Sequence, residues 1–201
     1  MVILLAAAAA TYMLLPAKVD PAEYAATIQK HRRDKDNFLR LGPDSPLSDA
    51  AKDFDSLRYF APDINYRVKA KLVPIEKKQV RVLSTSSGEQ VRYLEYAWAV
   101  FAFGRDVNEL LILEGMDTGP ERGQLFLAFA DETSGRETYG AGRYLDLKKV
   151  PAATSIELDF NKAYNPYCAY NDAYSCPFPP TENILKVSIL AGERNFKEPG
   201  K

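Results

Sequence analysis

From Ile64 onward the chain adopts a period of two, and this rhythm constrains its fold more than any other feature. Ile64, Tyr66, Val68, Ala70 and Leu72 alternate with Asn65, Arg67, Lys69 and Lys71, the pattern of a strand with one face buried and one face wet. Comparable segments follow at Gln79–Leu83, at Val91–Phe103 with its single Trp98, and at Glu109–Leu113, Leu125–Ala130 and Gly140–Leu147. Ile156, Leu158 and Phe160 alternate in a further segment, and Ile184–Leu190 supplies the last. The links between them are mostly short and rich in turn formers, as at Pro74–Lys77, Ser84–Glu89 and Thr133-Ser134-Gly135. Closely spaced strands with such links belong to antiparallel architectures, not to alternating β-α-β units. The expected fold is mostly β, an antiparallel sandwich or partly closed barrel of about eight strands, with one or two N-terminal helices.

The helices precede this body. Asp20-Pro21-Ala22-Glu23 is a helix start, with Asp20 to cap, Pro21 at the first helical position and Glu23 where a capping box places a carboxylate. Tyr24, Ile28, His31, Lys35 and Phe38/Leu39 follow at helical spacing, and Gly42-Pro43 ends the run. His31 shares a face with Ile28, which reads as a half-buried packing residue. Ser45-Pro46 through Phe54 predicts a second, shorter helix. With 201 residues the chain fits one β-rich body, large enough to bury roughly 70% of its unfolded surface. The expected division is an apolar leader at 1–17, a helical segment at 18–62 and the β-rich domain at 63–198.

Val2–Pro16 is an apolar run interrupted only by Thr11 and Tyr12. It is shorter than the ~20 residues of a membrane-spanning helix and suits the apolar region of a signal peptide. It therefore predicts export, or tethering to a membrane. Cys168 and Cys176 are the only cysteines, close together in a loop flanked by Pro166 and Pro177. In an oxidising compartment they would form a disulfide. The one histidine, His31, lies far from them in sequence, so the spacing does not describe a zinc site, and no cofactor is implied. Against 27 acidic residues the chain has 26 basic ones. Its densest basic stretch, Lys30 to Lys35 around His31-Arg32-Arg33, is broken by Asp34 and followed by Asp36. That is a solvated helix face, not a nucleic-acid footprint.

Two stretches carry the polar chemistry. In Asp131–Asp146, Gly135, Gly140 and Gly142 permit a bulge or the close approach of another group. Arg143 then lies on a strand, either exposed, paired with a structural acid such as Asp159, or lining a cavity where its planar fork binds an anion. The second stretch, Asp159–Asn183, is rich in tyrosine and asparagine. Its amides can satisfy loop backbone groups, or they can form a polar patch for a hydroxylated ligand. The candidate ligand-binding residues are Tyr139, Arg143, Asp159, Asn161, Tyr164 and Asn165. Acid–base work by Asp131, Glu132, Glu137, Asp159 or Glu182 remains an alternative, with no pair singled out and no catalytic residue assigned.

These stretches also carry a resemblance. Gly135-Arg136-Glu137-Thr138-Tyr139-Gly140-Ala141-Gly142-Arg143-Tyr144-Leu145 resembles one signature of the uncharacterised bacterial family numbered 1684 among domains of unknown function. The run from Asp159 to Tyr170, with Cys176-Pro177, Pro180-x-Glu182-Asn183 and Ala191-Gly192-Glu193, is similar to its other motifs. The similarity covers most of the chain after about Gln29. It implies a bacterial protein, often with an export or lipoprotein signal, and marks the cysteine pair and polar loop as family features. It implies no activity. Unlike lipoprotein-like relatives, this chain has no cysteine beside its leader. The functional expectation is an exported β-rich domain that binds a small polar or anionic ligand around Arg143 and Asp159–Asn165. The alternatives are a carboxylate-dependent hydrolase and a structural envelope protein.

Overall fold

The computed structural model describes residues 19–47, 53–104, 106–118 and 122–196. The period-two segments become seven strands: β1 (Arg67–Pro74), β2 (Val80–Ser84), β3 (Gln90–Phe103), β4 (Asp106–Gly115), β5 (Leu125–Phe129), β6 (Arg143–Leu147) and β7 (Ser155–Asp159). They form one antiparallel sheet in the order β6-β5-β4-β3-β1-β7, with β2 paired to the first half of β3, and the sheet curls into a half-barrel. Its two ends are β6 and β7. They are consecutive in the chain, joined by residues 148–154, yet they do not pair with each other.

β4 is the centre of the core. Leu110 and Ile112 face the inside of the half-barrel while Leu111 and Leu113 join a second cluster with Leu83 and Tyr93. All four are fully buried, each contributing roughly 1.5–3 kcal/mol. Facing β4 on the other side, β3 carries a bulge between Glu95 and Ala97. The extra residue changes the parity of the strand. Tyr93 lies in the outer cluster, whereas Tyr96, Ala97, Ala99 and Phe101 belong to the inner one.

β4 and β5 pair only at Leu113↔Phe126 and Glu114↔Leu125. Beyond that, the Asn183 side chain replaces the ladder. Its Oδ1 accepts from the Leu111 amide at 2.7 Å, and its Nδ2 donates to the carbonyls of Leu111 and Ala128 at 2.9 and 2.8 Å.

Helix α1 (Pro21–Leu41) begins as its sequence specifies, with Asp20 accepting from the Ala22 amide at 2.8 Å, and ends at Gly42. Tyr24, Ile28, Arg32 and Leu39 are its buried face. No helix among the described residues is long and apolar enough to cross a membrane. The apolar run Val2–Pro16 lies outside the described residues, as do residues 48–52 in the middle of the second predicted helix.

Three local expectations are corrected. Ile64–Tyr66 is a short 3-10 turn capped by Asp63, so β1 starts at Arg67. β6 starts at Arg143 and not at Gly140, because residues 131–142 fold into turns. Ile184–Leu190 is not a strand; it makes one bridge, Ala130↔Ile184, and packs Leu185 and Ile189 into the core. Its alternation is real, with Leu185 and Ile189 buried, but its Ile189 carbonyl accepts from a buried guanidinium and its Val187 carbonyl from the Glu132 amide, not from a neighbouring strand.

Candidate functional site

That guanidinium belongs to Arg143, whose side chain is fully enclosed. Nη2 donates to Asp131 Oδ2 at 2.8 Å and to the Ile189 carbonyl at 3.0 Å. Nη1 donates to the carbonyls of Glu193, at 3.2 Å, and Ala191. Burial pushes the guanidinium below its ordinary pKa, opposed by the Asp131 charge. Asp131 is itself saturated, since its Oδ1 accepts from the Thr133 amide and hydroxyl at 2.8 and 2.6 Å. The structural partner of Arg143 is therefore Asp131 and not Asp159. Such a pair holds the 189–193 segment to the sheet and offers no free donor fork to a ligand. Gly142 makes the close approach anticipated for it: at φ 89° an added Cβ would stand 2.6 Å from the Phe129 carbonyl oxygen.

The amides of the polar loop are used in the same way. Asn161 Oδ1 accepts from the Asp63 amide at 2.8 Å while its Nδ2 donates to the Asp63 carbonyl at 2.7 Å. Asn165 donates its backbone amide to Glu193 Oε2 at 2.8 Å and its side-chain amide to the Arg194 carbonyl at 2.8 Å. Both side chains are buried; each ties the loop to a neighbouring backbone, with Asn165 Oδ1 left without a partner.

Cys168 and Cys176 are free thiols packed side by side, the Cys168 amide donating to Cys176 Sγ at 3.1 Å. The Cys176 thiol hydrogen bond holds Cys168 down at about 6, and the same contact together with burial pushes Cys176 up. Tyr139 lies against this pair, its hydroxyl 3.8 Å from Cys168 Sγ, and burial with that contact pushes it up to about 12.

Asp159 and Tyr164 are placed differently, beside a cavity between the edges of β6 and β7. Its volume is about 410 Å³. Leu72, Tyr96, Leu125, Leu145 and Ile156 form an apolar floor, and Asp146, Lys148, Glu157, Asp159 and Lys162 form the polar surround. One end of the gap is closed because Tyr144 and Tyr164 exchange backbone hydrogen bonds at 2.8 and 3.0 Å. Tyr164 then donates its hydroxyl to Asp146 Oδ1 at 2.7 Å. Burial, followed by Asp146, raises the Tyr164 pKa, so it remains a protonated donor.

Asp159 is 93% buried, its relative exposure being 7%. Its Oδ1 accepts from Tyr24 of α1 at 2.6 Å and from the Asn161 amide at 3.2 Å. Its Oδ2 has no hydrogen-bond donor, and the nearest cation, Lys162 Nζ, stands 3.5 Å away. His31 shares this neighbourhood, one side of its ring packed against the protein and the rest open to solvent. Partial burial and then the Lys162 and Lys35 ammoniums hold it below its usual value, against Asp159 and Asp146.

A larger hollow of about 550 Å³ lies beside Val19, Pro21, Arg67 and Val68, but it is an open depression. Among the described residues no three metal-ligating side chains cluster.

Of the six candidate residues, Asp159 lines the cavity, Tyr164 holds its lining residue Asp146, and Arg143, Asn161 and Asn165 lie in the framework. Tyr139 belongs to the thiol cluster. Of the acids weighed for catalysis, Asp131 is locked to Arg143, Glu132, Glu137 and Glu182 are exposed, and Asp159 alone lines the cavity. Sequence reading missed the floor residues, Asp146 and Lys162. The signal for Asp146 was present: it is the acidic residue within the short strand RYLDL, between Leu145 and Leu147.

A family model described as a protein of unknown function (DUF1684) matches residues 52–194. The solution NMR structure of an uncharacterised protein from Haloarcula marismortui is similar to this chain at 36% identity. The match covers 88% of this chain and 97% of that one, with a TM-score of 0.67. No curated protein matches.

Proposed function

The chain belongs to the DUF1684 family of proteins of unknown function, and on that premise we propose that its half-barrel binds a small amphipathic molecule between β6 and β7. The observation that carries this reading is Asp159 Oδ2, a buried carboxylate oxygen without a hydrogen-bond donor at the edge of an apolar-floored cavity. A buried acceptor left without a partner costs about 1–3 kcal/mol, more when charged, and a ligand hydroxyl or ammonium would recover it. The cavity volume falls within the range of small-molecule sites. Three carboxylates and two ammoniums surround it (Asp146, Glu157 and Asp159 against Lys148 and Lys162), which favours a hydrogen-donating head over an anionic one. The apolar tail would lie on Leu72, Leu125 and Leu145. Export or membrane tethering belongs to the same proposal, supported by the apolar run Val2–Pro16 and by the cysteine pair poised for a disulfide.

The test is a titration of the ¹⁵N-labelled chain with octylamine and 1-octanol. Resonances of Leu145, Leu147, Ile156 and Asp159 should shift together, with dissociation constants on the order of a millimolar for such small ligands. The cavity-filling variant Leu147→Trp should abolish the shifts while remaining folded. Shifts scattered over the surface, or unchanged in Leu147→Trp, would overturn the proposal.

A further inference from the structure

The gap between β6 and β7 presents backbone as well as side chains, and the register shows which groups face it. The Leu72 amide donates to the Thr154 carbonyl at 2.9 Å. In an antiparallel ladder the residues bonded to one neighbour alternate with those that face the other way. Ile156 and Leu158, opposite Ala70 and Val68, therefore bond to β1, and the N–H and C=O of Glu157 point away from β1 into the gap. On the opposite edge, Tyr144 exchanges both of its backbone bonds with Tyr164, on the side away from β5. Asp146, two residues further along β6, presents its N–H and C=O to that same side. No hydrogen bond among the described residues reaches the backbone of Asp146 or Glu157. Both residues line the cavity.

An unpaired strand edge is a template for another extended amide. Here two such edges face each other across one cavity with an apolar floor. We infer that the ligand of this site carries an amide, laid in the gap so that its N–H and C=O meet the backbone of Asp146 and Glu157, with an apolar group on Leu145 and Ile156. This rests on the reading that the cavity binds a ligand, and it names the ligand class as an N-acyl amine or the end of a short apolar peptide. Both sources share the chemistry of one amide beside one apolar chain. A plain alcohol or hydrocarbon would fill the floor and leave the edge groups unmet.

The experiment compares N-octylacetamide with octyl acetate, an isostere without the N–H, on the full chain, and adds N-acetylleucine amide as the peptide-like probe. N-octylacetamide should bind about fivefold or more tightly than the ester, the effect of roughly one net hydrogen bond. It should also slow hydrogen exchange at the one backbone amide, of Asp146 or of Glu157, that its carbonyl meets. Equal affinity for amide and ester, without that protection, would overturn the amide inference and leave the cavity reading intact. If neither compound moves the cavity resonances, the cavity reading itself falls. Given the amide preference, tighter binding of N-octylacetamide identifies an N-acyl ligand, and tighter binding of N-acetylleucine amide identifies a peptide end; either order supports the inference.

Discussion

The Arg143 clasp and the β6/β7 gap are built from the same materials, buried charge and backbone edge, and they differ in whether those groups are satisfied. Around Arg143 both terminal nitrogens are occupied, by one carboxylate and three carbonyls, and only the enclosed Nε is left without a partner. Beside the gap, Asp159 keeps one carboxylate oxygen without a donor, and two strand edges remain unpaired. A fully enclosed ion whose terminal donors are all used specifies how segments pack, whereas an unpartnered oxygen beside a cavity is a place for a ligand. Arg143 is the more conspicuous residue in the sequence, yet the cavity lies elsewhere.

The sharpest way to break this comparison is Arg143→Met. Removing one partner of a buried ion pair leaves Asp131 uncompensated, and three carbonyls lose their donors. A loss of roughly 3–5 kcal/mol is expected, read from the midpoint of denaturant unfolding. A loss below about 1 kcal/mol would show that the clasp is not structural. Next in size is Asn183→Ala, which removes three bonds between β4, β5 and the loop. About 3 kcal/mol should be lost, since the Leu111 backbone has no substitute partner. Hydrogen exchange at the Leu111 amide should accelerate more than at Leu113, which keeps its ladder opposite Phe126. Uniform acceleration of both would deny Asn183 its bridging role.

How far the sequence discloses this molecule follows the same division. The hairpin of β3 and β4 and the cap of α1 depend on local periodicity and turn chemistry and appear where these place them, while β1 starts at Arg67, three residues after its alternation begins. Ile184–Leu190 has the periodicity of a strand but packs into the core without pairing, its Ile189 carbonyl accepting from the Arg143 guanidinium. Asp159 was legible as a polar residue on a strand face. Its free oxygen was not, because that depends on Tyr24, 135 residues away in sequence, taking Oδ1 and leaving Oδ2. The cavity was equally hidden: no local signal says that two consecutive strands, β6 and β7, curl toward each other without pairing.

The cysteine pair offers a medium-sized test of what a saturated contact does to chemistry. With Cys168 held at about 6 by the Cys176 thiol, its alkylation rate in the reduced protein should rise through pH 6 and level off, instead of climbing towards the ordinary thiol range near 8.5. Cys176→Ala should move that midpoint upward, because it removes the hydrogen bond that stabilises the thiolate. A midpoint near 8.5 in the parent protein would remove the contact from the account. Mild oxidation of the parent should remove two hydrogens from the mass and raise stability by roughly 2–3 kcal/mol.

The smallest expected effect discriminates most finely between the two regions. Lys162 is partly exposed and stands 3.5 Å from Asp159 Oδ2, a distance at which an ion pair contributes about 0–1 kcal/mol. Lys162→Ala should therefore scarcely move the unfolding midpoint, in contrast to Arg143→Met. It should, however, leave Asp159 more open to a cationic head, so octylamine should bind more tightly and 1-octanol about as before. If octylamine instead weakens in step with a large loss of stability, Lys162 belongs to the framework as Arg143 does, and the line drawn here between satisfied and unsatisfied charge fails at the residue where it is easiest to test.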